Sequence, residues 1–240
     1  MLCVAPQIKL RIKSRIAIRN YSNGIFILAL CLVINDIVEA QEANYIQSAL
    51  QIQTVKMDLD FGGSLRETRF NSIDISLREQ LSQNVDGAFL FGYLDLIQKT
   101  NPITAGQNTS GEYIGIDLQW HILNYQRFKM LTSVNYHYAV SEAEIDAQKV
   151  EWQWHQVGLD LHSQTYLSKS LSFSLGVSAT SINGVEKAIG TLDQGLDFKA
   201  KDSLTGHIAL QLTTGRAGQI GIELKTGSLQ GGRIIFQRSF

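Results

Sequence analysis

At 240 residues the chain suits one domain or one barrel. Its composition, 18% charged and 44% hydrophobic with a mean hydropathy of -0.03, excludes both a disordered polar chain and a bundle of membrane helices. A formal net charge of -1 offers no basic surface for nucleic acid, so none is expected as a partner.

Residues 1–24 carry Lys9, Arg11, Lys13, Arg15 and Arg19 with no acidic residue, and the uncharged run IFILALCLVI (25–34) follows. Val38 and Ala40 then stand at the spacing that a signal peptidase accepts. Residues 1–40 are therefore expected to be a cleavable signal peptide and 41–240 the mature protein. The apolar run is well short of the ~20 residues a spanning helix needs, and Leu30 is too large for a lipoprotein site at Cys31. Both cysteines, Cys3 and Cys31, fall in the removed segment, so the exported chain is expected to lack disulfide and thiolate chemistry. Without the signal, 16 basic and 20 acidic residues remain, a net charge of -4.

After residue 41 no apolar period of 3.6 is sustained, whereas a period of two recurs. Ten strands are expected, near 46–60, 70–81, 87–98, 112–123, 128–141, 151–166, 170–182, 197–213, 219–227 and 231–240. In the second, Ile73, Ile75 and Leu77 alternate with Asp74, Ser76 and Arg78; in the fourth, Ile114, Ile116, Leu118 and Trp120 alternate with Gly115, Asp117 and Gln119. The connections alternate between short ones and longer ones, and the mature chain's only proline, Pro102, sits in a long one, where no ladder donor is lost. The motifs SIDI, GIDL and GLDL begin at Ser72, Gly115 and Gly158, which brings Asp74, Asp117 and Asp160 back at a hairpin-sized interval. The expected fold is all-β: an antiparallel up-and-down β-barrel of ten strands, with eight as the alternative.

Alternation alone does not separate a soluble barrel from a transmembrane one, because both have one apolar face. The content of the polar face separates them. Asp74, Arg78, Asp117, Lys129, Asp160, His162, Glu223 and Lys225 all lie on it, which suits a charged interior with the apolar face toward lipid. Strands of about ten residues also match the ~9–11 that cross a bilayer at a tilt. Tyr113, Trp120, Tyr125, Phe128, Trp152, Trp154, Tyr166 and Phe240, near strand ends, are expected in interfacial girdles.

The export signal, the alternating strands and the final Ile234, Phe236 and Phe240 together resemble the small outer-membrane β-barrel proteins of Gram-negative bacteria. The resemblance covers the whole mature chain. It implies an outer-membrane location among lipid and lipopolysaccharide. It also implies a last strand, apolar at alternate positions and ending in Phe, read as a sorting signal by the barrel-assembly machinery. Arg238 departs from that pattern; near the interface an arginine snorkels to headgroups at a cost of about 0–1 kcal/mol.

No GxGxxG, Walker A, HExxH or paired CxxC motif is present. His121, His137, His155, His162 and His207 show no ligand spacing, so no metal, cofactor or catalytic residue is expected. Unpaired buried charge costs several kcal/mol, so Arg78, Lys129 and Lys225 are expected to balance the three aspartates and plug the lumen. The expected role is structural or surface-interactive, with the surface partner unidentified. A narrow passive, porin-like pore is the alternative. The resemblance also admits a lipid A-modifying enzyme or a protease, for which Asp58, Asp60, Glu67, Asp95, Glu142, Glu144, Asp146, Glu151 and His155, with His137 just below, form the candidate zone.

Overall fold

The computed structural model describes residues 45–99, 101, 108–145, 148–190, 193–215 and 217–240; the expected signal segment 1–40 and Pro102 lie outside them. Among the described residues the regular elements are all strands: β1 (Ile46–Asp60), β2 (Leu65–Ser82), β3 (Val85–Ile97), β4 (Asn108–Tyr125), β5 (Phe128–Ile145), β6 (Gln148–Tyr166), β7 (Leu171–Gly190), β8 (Gln194–Ala200), β9 (Leu204–Thr214), β10 (Gly218–Gly227) and β11 (Gln230–Ser239). Ten of them, all but β8, pair antiparallel in chain order, and β11 returns to β1 from Gln47↔Ser239 to Lys56↔Gln230. That pairing closes a ring of ten, as the alternation predicts. A closed ring has no unpaired ladder edge, which is the condition a sheet must meet in hydrocarbon.

The alternation decides which face meets lipid. Ile73, Ile75 and Leu77 of β2, Phe89 and Phe91 of β3, Ile114 and Ile116 of β4, and Ile208, Leu210 and Leu212 of β9 are all exposed on the outside, while Asp74, Ser76, Asp86 and Glu223 are buried. Outward aromatics mark both rims of the apolar belt. Trp120, Tyr125, Phe128 and Phe240 lie toward the end with the 83–84, 126–127 and 167–170 turns; Tyr93, Tyr136 and Tyr138 lie toward the other. By the usual orientation of transmembrane barrels, the first end corresponds to the periplasmic side and the second to the extracellular side. Tyr113, Trp154 and Tyr166 point instead into the lumen and Trp152 is fully buried, so these four are not girdle residues.

Strands β4 to β7 run 18 to 20 residues, far beyond the ~9–11 a crossing needs. The excess stands above the bilayer, where water replaces lipid and the two faces exchange character. On β6 the outward row runs Leu161, Leu159, Val157 and then His155, Gln153, Glu151; the inward row runs His162, Asp160, Gly158 and then Trp154, Trp152, Val150. The same exchange on β1 replaces inward Gln47, Gln51 and Gln53 by Val55, Met57 and Leu59. Much of what reads as extracellular loop is thus strand with inverted polarity.

β8 lies outside the ten-membered ring. It pairs with the upper part of β7 (Asn183–Ala188), while β9 takes the lower part (Leu171–Ala179), and its far end meets β1 through Leu59↔Ala200 and Asp60↔Lys199. It therefore bridges β7 to β1 above the shorter β9, β10 and β11, and the extracellular end becomes a ring of eight. The expected strand 197–213 is divided here because its halves are out of phase. Phe198 faces inward at an even position and His207 at an odd one, so an unbroken strand would turn either Phe198 out or Ile208 and Leu210 in.

An eight-stranded ring is just wide enough for side chains to fill, and here an apolar cluster packs beside buried Arg66, Thr68, Gln98 and Glu186. Met57, Leu59, Phe61, Leu94, Leu96, Val150, Trp152, Trp154, Ile182 and Phe198 form one buried cluster. The Trp152 and Phe198 rings are 4.9 Å apart, and Phe61 meets Trp152 edge-on at 5.7 Å. Gly184 of β7, between Trp154 and Phe198 in register, makes the approach possible: a Cβ there would lie 2.4 Å from the Phe198 ring and 2.6 Å from the Trp154 Cβ.

Candidate functional site

Below this apolar roof the barrel encloses a cavity of about 510 Å³. All eight residues of the expected interior cluster, Asp74 and Arg78 of β2, Asp117 of β4, Lys129 of β5, Asp160 and His162 of β6, and Glu223 and Lys225 of β10, line it. The strand period puts them there, since each shares its parity with the inward row of its strand. They form several small networks rather than one ring.

Nearest the periplasm, Asp86 Oδ2 accepts a hydrogen bond from the Tyr45 hydroxyl at 2.9 Å and lies 2.9 Å from His121 Nε2. Burial beside the Asp86 carboxylate pushes the Tyr45 hydroxyl up to about 12, so it remains a donor at neutral pH. One step further in, Arg78 Nη2 lies 2.7 Å from Asp117 Oδ2 and Nη1 donates to Gln119 Oε1. Lys129 stands apart near the periplasmic mouth, its Nζ 5.5 Å from the centre of the Tyr166 ring.

The middle of the lumen holds the densest charge. Glu223 is gripped from both sides, by Arg233 Nη2 at 2.7 Å from Oε2 and by Lys225 Nζ at 3.4 Å from Oε1. Glutamines of the neighbouring β1 take two further donors: Arg233 Nη1 to Gln51 Oε1 at 2.8 Å and Lys225 Nζ to Gln53 Oε1 at 3.3 Å. Asp74 Oδ2 accepts from the Tyr113 hydroxyl at 2.6 Å. Asp160 faces two imidazoles, with His162 Nδ1 at 2.6 Å from Oδ1 and His207 Nδ1 at 3.5 Å from Oδ2. Of the expected pairings, Arg78 takes Asp117, whereas Lys225 takes Glu223 and Lys129 takes no aspartate among the described residues. The expected cluster omits Tyr113, Arg233 and His207, although each has the right parity in its strand.

With aliphatic rows outside, ions enclosed and the ladder closed, the chain has the fold of the outer-membrane β-barrel proteins. No family model matches the sequence, and no curated protein matches it. Among solved structures the chain is similar to the translocator domain of autotransporter NalP from Neisseria meningitidis (10% identity over 90% of this chain and 95% of that one, TM-score 0.49). It is also similar to the outer-membrane protease OmpT from Escherichia coli (7% identity, 84% and 99% covered, TM-score 0.48) and the outer-membrane protein OprG from Pseudomonas aeruginosa (8% identity, 83% and 97% covered, TM-score 0.43).

Ile234, Phe236 and Phe240 of the expected sorting signal all face outward, as does Arg238, whose guanidinium carbon sits 5.4 Å from the centre of the Phe240 ring. Phe236 is paired between Leu50 of β1 and Ile220 of β10, within the outer apolar belt. The expected acidic zone does not gather around one base. His137 lines the lumen, His155 is exposed on the outside with its Nδ1 2.6 Å from the Tyr136 hydroxyl, and Glu142 and Glu151 are tied to Lys149 at 2.8 and 2.9 Å. Asp146 lies outside the described residues.

Proposed function

We propose that this protein is a closed barrel of the cell envelope, with a structural or surface-interaction role, whose lumen does not conduct. The observation that carries the reading is the apolar roof. Leu59 and Trp152 are fully buried beneath β8, and a conducting path would have to cross that packed cluster as well as the Glu223–Arg233 and Arg78–Asp117 pairs below it. Buried polar groups at the same level brace it: Arg66, in register with Leu59, places Nη1 3.0 Å from Oε2 of Glu186, in register with Trp152, and Asn101 donates to Glu186 Oε1 at 2.5 Å.

What the barrel offers to the exterior is a stiff rim of strand ends bearing Asp58, Glu67, Glu142, Glu151, Lys187 and Lys199, a mixed-charge surface suited to polar contacts with lipopolysaccharide or a protein. The outward Ile234, Phe236 and Phe240 row is the surface that the barrel-assembly machinery would read during insertion. A narrow passive pore is the second reading, favoured by the polar cavity that extends from the periplasmic mouth to the roof. Single-channel recording in planar bilayers tests the choice. The closed reading predicts no steady current, and a stable open level in the unmodified protein would replace it with the pore.

A further inference from the structure

We propose that Asp160, His162 and His207 form a binding site for one divalent first-row transition ion, of the zinc class, inside the lumen. The site goes beyond the closed-barrel reading and does not depend on it.

The register explains how the donors meet. His162 of β6 is paired with Gly176 of β7, and Gly176 in turn with His207 of β9, so the two imidazoles stand in one row on either side of a residue without a side chain. A Cβ at Gly176 would lie 2.3 Å from His207 Nε2 and 2.6 Å from the His162 Cβ. The gap lets both rings lean toward each other, and Asp160, two residues from His162 on the same face, closes the triangle. One ligand atom from each residue lies within 4.8 Å of the other two. A tetrahedral ion with bonds of ~2.1 Å holds its donors about 3.4 Å apart, so side-chain rotations that draw the three donors together complete the coordination.

Two imidazole nitrogens and one carboxylate oxygen form a donor set that suits zinc and its neighbours and leaves a position for water. The surrounding charge also admits a cation. Lys225 and Arg233 are both within electrostatic reach of Asp160, but they stand opposite three carboxylates, Asp74, Asp160 and Glu223, which leaves one negative charge unmatched by fixed cations. An ion there would tie β6 to β9 across β7.

The experiment uses the folded barrel in detergent, purified without a polyhistidine tag, stripped with chelator, and titrated with Zn2+ against a chromophoric competitor. Cu2+ is then added as an electron paramagnetic resonance probe of nitrogen ligation. Folding of every variant is checked by its gel mobility before and after boiling. The expected result is one equivalent of Zn2+ per barrel and a Cu2+ spectrum with two nitrogen ligands. His162→Ala and His207→Ala should each weaken Zn2+ by more than the ~10–100-fold that loss of an outer-sphere partner costs. Gly176→Ala, which keeps all three donors but fills the gap, should weaken it as well, and His121→Ala should bind as the parent does. Failure of the folded parent to bind stoichiometric Zn2+, or equal affinity in the folded His162→Ala/His207→Ala double variant, would overturn the site.

Discussion

Trp152→Ala is expected to destabilise the barrel by about 3–5 kcal/mol, the usual cost of deleting a large aromatic from a packed core, and to give it a steady conductance that the parent lacks. Trp152 is fully buried and touches both Phe61 and Phe198, so its removal leaves a large gap in the packed roof. Urea unfolding in detergent, followed by gel mobility, measures the first effect and planar-bilayer recording the second. Trp152→Phe serves as the control. The indole Nε1 has no hydrogen-bond partner among the described residues, so phenylalanine retains most of the packing at no polar cost. A Trp152→Ala barrel that is as stable and as silent as the parent would show that the roof does not depend on this residue.

The second large effect belongs to Glu223. Its replacement by alanine leaves Arg233 and Lys225 facing each other in the lumen without the carboxylate that bridges them, and breaking an enclosed pair from one side typically costs about 3–5 kcal/mol. Arg233 retains some accessibility to the cavity, which places the expected loss toward the lower end of that range. The triple replacement Glu223→Leu, Lys225→Met, Arg233→Met should recover part of the stability, because it removes the two cations left facing each other, while Asp74 and Asp160 lose the positive charge near them. If Glu223→Ala unfolds at the parent's urea concentration, the three charges are solvated independently and the network described here is not a unit.

Period-two alternation sufficed for the lipid-facing rows and for the inward placement of all eight charged residues, because over the membrane-crossing stretch the environment on each face is constant. It failed where that environment changes. Above the bilayer Trp154 and Trp152 occupy the inward row that Asp160 and His162 occupy below, so the hydrophobic phase reverses while the strand continues. Periodicity alone breaks there, which is why the expected strands end at 141 and 182 although β5 and β7 continue to Ile145 and Gly190, and why Trp152 and Trp154, at one end of the expected strand 151–166, read as girdle residues. The division at 201–203 left a similar trace, a one-residue shift between Phe198 and His207, within a polar run that an unbroken strand also tolerates. The contact of Asp160 with His207 left none, since it arises from the pairing of β9 beside β7 and from the absent side chain of Gly176, and neither is visible in ligand spacing.

Which face of each strand touches hydrocarbon can be read out on β9. The expected mature region, 41–240, has no cysteine, so single cysteines can be introduced and spin-labelled one at a time at Ile208, Ala209, Leu210, Gln211 and Leu212. In bilayers, oxygen collision rates should be high at 208, 210 and 212 and low at 209 and 211. High rates at 209 and 211 with low rates at the three aliphatic positions would mean that the barrel is inside out, with its apolar rows enclosed and its ion pairs facing outward.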